Sequence, residues 1–105
     1  IIGVYVLKDR KNKTAEIMNI AVAEQYRRQG LGRLLIQDAI TRARNDGFET
    51  LLIATGKDSF QQHFYESCGF SVYETEEGYF SRAYPQPVID NGILLTDLVR
   101  LSMPL

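Results

Sequence analysis

The chain has 105 residues, the size of one domain with one core, and we expect residues 1–105 to form a single domain. Its 12 basic and 13 acidic residues nearly cancel, which argues against a general nucleic-acid or membrane-surface binder. One cysteine excludes an internal disulfide framework, and one histidine with one cysteine makes no recognisable metal-ligand set. No apolar run in the sequence is long enough to span a bilayer, so we expect a cytoplasmic protein.

The first predicted elements form a β-hairpin. Apolar residues predict a strand over residues 2–7, a polar run predicts a turn over residues 8–13, and residues 15–22 are the predicted antiparallel return strand. The chain opens on an apolar strand without an initiating methionine, so we interpret it as a fragment of a longer protein. A naturally short variant with a truncated sheet is the alternative.

A loop rich in arginine and glycine connects the hairpin to a long amphipathic helix, predicted over residues 31–44. Gly30 and Gly32 let the backbone approach a ligand closely, and the first helical turn presents unpaired N–H groups and the positive end of the helix dipole to an anion. Arg33 and Leu34 stand where a Walker A loop has Lys and Ser or Thr, and the third glycine of a dinucleotide fingerprint is absent. The loop therefore predicts a pyrophosphate-binding site that is neither a Walker A loop nor a dinucleotide-binding motif.

A short strand and a short helix are predicted next. Residues 49–55 predict a strand parallel to the second one, because a helical crossover joins the two. Ser59 and Gln62 form a capping-box pattern that opens a helix over residues 60–67. A mixed sheet follows from these assignments.

The last third of the chain predicts further strands. Residues 70–74 and 79–84 are expected to form a terminal hairpin, and Asn91-Gly92 to begin a last strand with alternating apolar residues. The alternating positions are Val99, Leu101 and Met103. This C-terminal segment is too apolar to be a free tail, so we expect it to join its own sheet; pairing with a second subunit, as a homodimer, is the alternative.

Two motifs together resemble the GCN5-related N-acetyltransferase (GNAT) family. R-x-x-G-x-G, from Arg27 to Gly32, is similar to the family's acetyl-CoA signature. Residues 64–70, Phe-Tyr-Glu-Ser-Cys-Gly-Phe, look like its later motif, a helix that bears a tyrosine and ends at Gly-Phe. The resemblance implies an α/β fold with a mixed, mostly antiparallel sheet, a central parallel strand pair and flanking helices, here without the N-terminal elements.

The resemblance also implies an activity. A GNAT-like chain would move an acetyl group from acetyl-CoA to a primary amine of a small molecule or protein, by direct attack in a ternary complex and without a metal. A noncatalytic acyl-CoA-binding or sensing module is the alternative, because the sequence signal for a catalytic base, Glu16, is weak. The acceptor amine is not identified by these motifs.

The resemblance assigns the coenzyme contacts to the strand before the loop and to the loop itself. Ala21 and Val22 would contact the pantetheine arm and the thioester. The loop would hold the pyrophosphate, mostly through backbone amides, with charge-assisted contacts from arginine side chains. Its residues are Arg27, Arg28, Gln29, Gly30, Leu31, Gly32 and Arg33.

Two residues are the catalytic candidates. The resemblance places Tyr65 near the coenzyme sulfur as general acid; a packed aromatic that orients the coenzyme is the alternative. Glu16 lies near where many members carry a base, and it could equally be a solvent-facing hairpin residue. His63 precedes Tyr65 by two residues, so we expect it to point away, at the surface. Cys68 is expected to be a small core residue rather than a nucleophile.

The sequence departs from the family pattern before Tyr65. Where many members carry an asparagine that contacts the coenzyme, followed by alanine, this chain has Asp58 and Gln61. That coenzyme contact is therefore in doubt. Four aromatic residues of the following segment are candidates to line an acceptor pocket, and alternation predicts at least half of them in the core: Tyr73, Tyr79, Phe80 and Tyr84.

Overall fold

The computed structural model describes residues 3–22, 30–90 and 92–105. The elements fall into two compact units, one of Ile1–Ile53 with Met103–Leu105 and one of Ala54–Ser102. The expectation of a single domain over residues 1–105 stays a prediction. Within the described part of the chain, no helix is long and apolar enough to cross a membrane.

The first unit contains the predicted hairpin and helical crossover. Strand β1 (Gly3–Asp9) pairs antiparallel with β2 (Thr14–Val22), and helix α1 (Leu31–Asn45) leads to β3 (Thr50–Gly56), whose first four residues belong to this unit. β2 and β3 are parallel, with Ala15 opposite Leu51. The predicted parallel strand pair is therefore confirmed, as is the helix between the two strands.

Small side chains let α1 pack closely on the hairpin. Ala39 and Ala43 are fully buried, together with Ile36 one turn earlier, and this stripe faces β1 and β2. Among the strand residues of this unit whose burial is described, the buried ones are Ala15, Ile17, Leu51 and Ile53. On the flank of the helix, the Tyr5 hydroxyl donates a hydrogen bond to Asp38, which ties β1 to α1. The amphipathic pattern predicted from the sequence thus positions α1, and with it the glycine loop that precedes it.

The second unit follows the end of β3. It contains helix α2 (Phe60–Ser67), strand β4 (Ser71–Glu76), helix α3 (Tyr79–Ala83), the short strands β5 (Val88–Asp90) and β6 (Ile93–Leu95), and β7 (Leu98–Pro104), whose last residues belong to the first unit. β4 pairs antiparallel with β7, and β5 pairs antiparallel with β6 in a separate two-stranded sheet. The strand order is β1-β2-β3 in the first unit and β3-β7-β4 in the second.

The predicted strand over residues 79–84 is wrong, because this segment forms α3. Gly78 adopts a left-handed conformation (φ 69°) and its N–H donates to Asp97 Oδ1 at 2.9 Å, which starts the helix. The Phe80 N–H donates to the Thr96 carbonyl at 3.0 Å. The Phe80 ring then contacts the rings of Tyr79 and Tyr84, with centroids 5.1 and 5.9 Å away. β4 consequently pairs with β7 and not with residues 79–84.

Candidate active site

The start of α1 has the geometry of an anion site. Gly30 is the N-cap residue in a left-handed conformation (φ 75°, ψ 6°), and a Cβ at this position would meet no atom of the described residues within 4 Å. An N-cap glycine offers no side chain to the first-turn N–H groups, and the first turn contains no acidic residue. At the other end, Arg42 and Arg44 lie in the last turn, where positive charge offsets the dipole. An anion at the start of α1 would supply the missing negative charge.

The structure brings four of the predicted pyrophosphate residues together on this turn: Gly30, Leu31, Gly32 and Arg33. Gly30 and Arg33 are exposed, and Leu31 and Gly32 are half-buried. The other three, Arg27, Arg28 and Gln29, lie outside the described residues. Ala21 and Val22 are the last residues of β2, a member of the parallel strand pair. The carboxyl ends of such strands are where open α/β sheets bind ligands.

Tyr65 is carried by α2, whose start is fixed by the predicted capping box. The Gln62 N–H donates to Ser59 Oγ at 3.2 Å, and Ser59 is fully buried. The Gln62 side chain accepts a hydrogen bond from the Asp58 N–H at 2.6 Å. The helix closes at Cys68, and the Phe70 N–H donates to the Tyr65 carbonyl at 3.1 Å. Tyr65 is therefore held by a helix that is capped at both ends.

The Tyr65 side chain lies in an apolar setting. It is 6% exposed, and its ring packs against Phe64 and Phe70, with centroids 5.7 and 6.2 Å away. Burial, with a smaller contribution from Cys68, raises the pKa of Tyr65 to about 12. The phenol is therefore protonated at neutral pH, which is the state that a proton donor requires.

This raised pKa predicts a loss of stability in alkali. Because the folded-state pKa exceeds the unfolded value of 10.0, the unfolded chain releases the Tyr65 proton first as the pH rises. The contribution of protonated Tyr65 to the free energy of unfolding is fully present below about pH 10. We expect the free energy of unfolding to fall by roughly 2–3 kcal/mol between this pH and about pH 12. Urea unfolding at the two pH values measures this loss, which Tyr65→Phe should reduce by that amount.

The matched control is Tyr84→Phe, which removes a hydroxyl from an exposed ring. Its alkaline loss should resemble that of the unmodified chain. Equal losses in the unmodified chain and in Tyr65→Phe would contradict the link between Tyr65 burial and alkaline unfolding.

Glu16 is the third residue of β2, close to the turn of the hairpin, and it is ion-paired. Arg10 Nε donates to its Oε1 at 2.7 Å, and the Glu16 side chain is 18% exposed. Its neighbours across the sheet are Lys8 on β1 and Leu52 on β3. No pattern in the sequence indicated this ion pair, which occupies one carboxylate oxygen of Glu16.

The residues set aside by sequence reasoning have ordinary environments. His63 is exposed, with Nδ1 3.7 Å from Glu66 Oε1, as predicted for a surface residue. Cys68 is a half-buried free thiol at the end of α2. Asp58, which replaces the family's asparagine, is exposed with a positive φ of 61°. Among the described residues, no group of three or more metal-ligating side chains comes together.

Sequence reasoning missed Gln61 as a functional candidate. Its Oε1 is buried and has no hydrogen-bond partner among the described residues, one helical turn before Tyr65. The sequence did contain a signal for Gln61. It lies four residues before Tyr65 and seven before Cys68, so the helical period places this polar residue on the packed face of α2.

Comparisons with known proteins agree with this geometry. Residues 1–70 match the Acetyltransferase (GNAT) family, and the chain belongs to that family. The uncharacterized N-acetyltransferase YvbK of Bacillus subtilis is 40% identical over 104 residues, which are 98% of this chain and 67% of that protein.

Two solved structures match nearly the whole chain. An acetyltransferase of B. subtilis in complex with CoA is 40% identical, with a TM-score of 0.93 over 100% of this chain and 70% of its own. A GNAT family acetyltransferase of Elizabethkingia anophelis with acetyl-CoA bound is 42% identical, with a TM-score of 0.92 over 100% of this chain and 69% of its own. The predicted GNAT-like fold is confirmed, and so is the assignment to the N-acetyltransferases.

Proposed function

We propose that this chain transfers an acetyl group from acetyl-CoA to a primary amine of a small molecule or protein, by direct attack in a ternary complex. The observation that carries the proposal is the start of α1, where a left-handed glycine cap and a first turn without acidic residues suit an anion. Membership of the GNAT family and the two coenzyme-bound relatives support the pyrophosphate of acetyl-CoA as that anion.

The coenzyme contacts that we propose follow the chain. The N–H groups of Leu31 and Gly32 would point at the pyrophosphate, since the first N–H groups of a helix have no partner within it. The Arg33 guanidinium would add a charge-assisted contact. On sequence grounds alone, Arg27, Arg28 and Gln29 complete this site. Ala21 and Val22 would contact the pantetheine arm and the thioester.

The reaction needs few groups from the protein. The neutral amine attacks the thioester carbonyl, a C–N bond forms, the C–S bond breaks, and the coenzyme leaves as a thiolate that must gain a proton. The attacking nitrogen must lose one. Much of the rate enhancement in such a reaction comes from holding the amine and the thioester in contact.

We assign the proton for the leaving thiolate to Tyr65. Burial keeps its phenol protonated through the physiological pH range, since its pKa is raised to about 12. A thiolate formed beside the same apolar side chains would also be poorly solvated, and its own pKa would rise. The raised pKa makes the phenol a weaker acid, so proton transfer to the sulfur depends on this matching rise in the pKa of the thiol.

We assign the role of base to Glu16, acting on the attacking amine directly or through water. If this is correct, Glu16→Gln should lower kcat/KM about tenfold or more near pH 7. The loss should shrink near pH 10, where an alkyl amine is already largely neutral. The measurement is kcat/KM for an amine acceptor over that pH range.

Arg10→Gln is the control for the Glu16 prediction, because it breaks the same ion pair and keeps the carboxylate. We expect it to retain the activity. Equal activity of Glu16→Gln and the unmodified chain at every pH would contradict this role. Glu16 would then be only an ion-pair residue of the hairpin, and the attacking amine would lose its proton to solvent.

A calorimetric titration with acetyl-CoA, followed by detection of free thiol with a panel of amines, tests the proposed function. Saturable binding and amine-dependent thiol release are expected. Binding without release on any amine would support the noncatalytic acyl-CoA-binding alternative, and no binding would contradict both. The acceptor's identity, a homodimer and a cytoplasmic location stay proposals from the sequence.

A further inference from the structure

The second unit contains two adjacent glutamines in opposite situations. Gln62 has a partner at both its backbone and its side chain, through Ser59 and Asp58. Gln61 Oε1 is buried, and no donor of the described residues reaches it. A buried carbonyl oxygen without a donor is unfavourable, because it has lost its hydrogen bonds to water and gained none. Gln61 therefore lowers the stability of the unliganded chain.

The position of Gln61 on α2 indicates what could supply the donor. Gln61, Tyr65 and Cys68 share the inward face of the helix, while Phe60 and His63 are exposed. Gln61 lies four residues before Tyr65, so the two side chains are neighbours separated by roughly one helical pitch, about 5.4 Å.

No described residue supplies this donor, so a bound ligand is a candidate for it. If the Tyr65 hydroxyl meets the coenzyme sulfur, the first amide N–H of the pantetheine arm lies only a few bonds from that sulfur. A neutral amide N–H suits a buried neutral carbonyl better than an ammonium group, because burial of a charge is far more costly. The acceptor amine is therefore the less suitable partner.

We propose that the Gln61 carboxamide binds the pantetheine arm of acetyl-CoA by accepting a hydrogen bond from one of its amide N–H groups. This inference rests on the proposed function. Asp58, just before the helix, differs from Gln61 in being exposed, and its backbone N–H is bonded to Gln62 Oε1. Gln61 thus selects ligands that carry the arm.

The test replaces Gln61 with methionine, which is similar in length and apolar. Calorimetry should show about tenfold weaker binding of coenzyme A by Gln61→Met, because one buried hydrogen bond is lost. Binding of phosphoadenosine diphosphate, the coenzyme fragment without the arm, should be unchanged. The Tm of the unliganded variant should rise by roughly 4 °C, since a buried unpaired oxygen is removed. Kinetically, KM for acetyl-CoA should rise while kcat is retained.

Gln62→Met is the matched control, because the same change at the next residue removes a side-chain oxygen that already accepts a hydrogen bond. It should lower the Tm, since the Asp58 N–H loses its acceptor, and should leave the Kd of coenzyme A unchanged. Unchanged coenzyme binding by Gln61→Met would overturn the proposal, and so would equal weakening of coenzyme A and the fragment. Failure of the unmodified chain to bind coenzyme A would instead contradict the proposed function.

Discussion

Gly30→Glu is expected to abolish acetyl-CoA binding, with a Kd at least about 100-fold higher than that of the unmodified chain. The substitution places a carboxylate at the N-cap of α1, where the pyrophosphate is proposed to bind, so two anions would compete for the same N–H groups. Isothermal titration with acetyl-CoA measures the effect. A second measurement, the Tm of the unliganded chain, separates loss of the site from loss of the fold.

Gly47→Glu provides a control with the same chemistry at the other end of α1. Gly47 also has a positive φ (87°), and a Cβ at this position would likewise come within 4 Å of no atom in the part of the chain that the structure describes. Each variant should lose about 1–2 kcal/mol of stability from the left-handed backbone. Only Gly30→Glu should lose the coenzyme. Equal acetyl-CoA binding by the two variants would contradict an anion site at the start of α1.

The first unit could be predicted from the sequence because local signals determine it. Alternating apolar residues with a polar turn predicted the β1–β2 hairpin, and the 3.6-residue apolar period of α1 predicted the crossover that makes β2 and β3 parallel. The cap of α2 was also predicted, because Ser59 and Gln62 lie within one turn of each other.

Residues 79–84 could not be predicted in the same way. The segment is rich in aromatic residues that favour strands, yet α3 forms because Gly78 and Phe80 bond to Asp97 and Thr96, far along the sequence. Such tertiary contacts override local propensity and leave no local signal. The β5–β6 pair was missed for another reason: Asn91-Gly92 is a common hairpin dipeptide, and it was interpreted only as the start of a strand.

The candidate site was predicted by its residue types, while the contacts of those residues were not. Tyr65 was nominated from its motif, but its raised pKa depends on the rings of Phe64 and Phe70 packed around it. The Arg10–Glu16 ion pair depends on the geometry of one hairpin. These are properties of packing, which a one-dimensional pattern does not contain.

Tyr65→Phe is expected to lower kcat about 100- to 1,000-fold, while KM for acetyl-CoA changes little. The substitution removes only the hydroxyl, so the ring keeps its contacts with Phe64 and Phe70 and the coenzyme site keeps its shape. In the proposed mechanism, the thiolate then has to leave without its proton donor. Steady-state kinetics with thiol detection gives both constants.

Tyr5→Phe is the control for a lost phenol outside the site. The Tyr5 hydroxyl also has a raised pKa, mainly from burial and from its bond to Asp38, and it connects β1 to α1. Its loss should lower the Tm and leave kcat intact. If Tyr65→Phe binds the coenzyme tightly and kcat is nearly unchanged, Tyr65 is not the proton donor and only orients the coenzyme. That result would favour the noncatalytic sensing module.

Side-chain charges complement the dipole of α1 at its C-terminal end but not in its first turn. Arg42 and Arg44 complement its last turn, whereas its first turn begins at a bare glycine without an acidic neighbour in the turn. If the coenzyme is the group that completes this helix, ligand occupancy and folding are thermodynamically linked. The resistance of the chain to unfolding and proteolysis would then follow the supply of acetyl-CoA, so that a cell short of this metabolite would also hold less of the protein that consumes it.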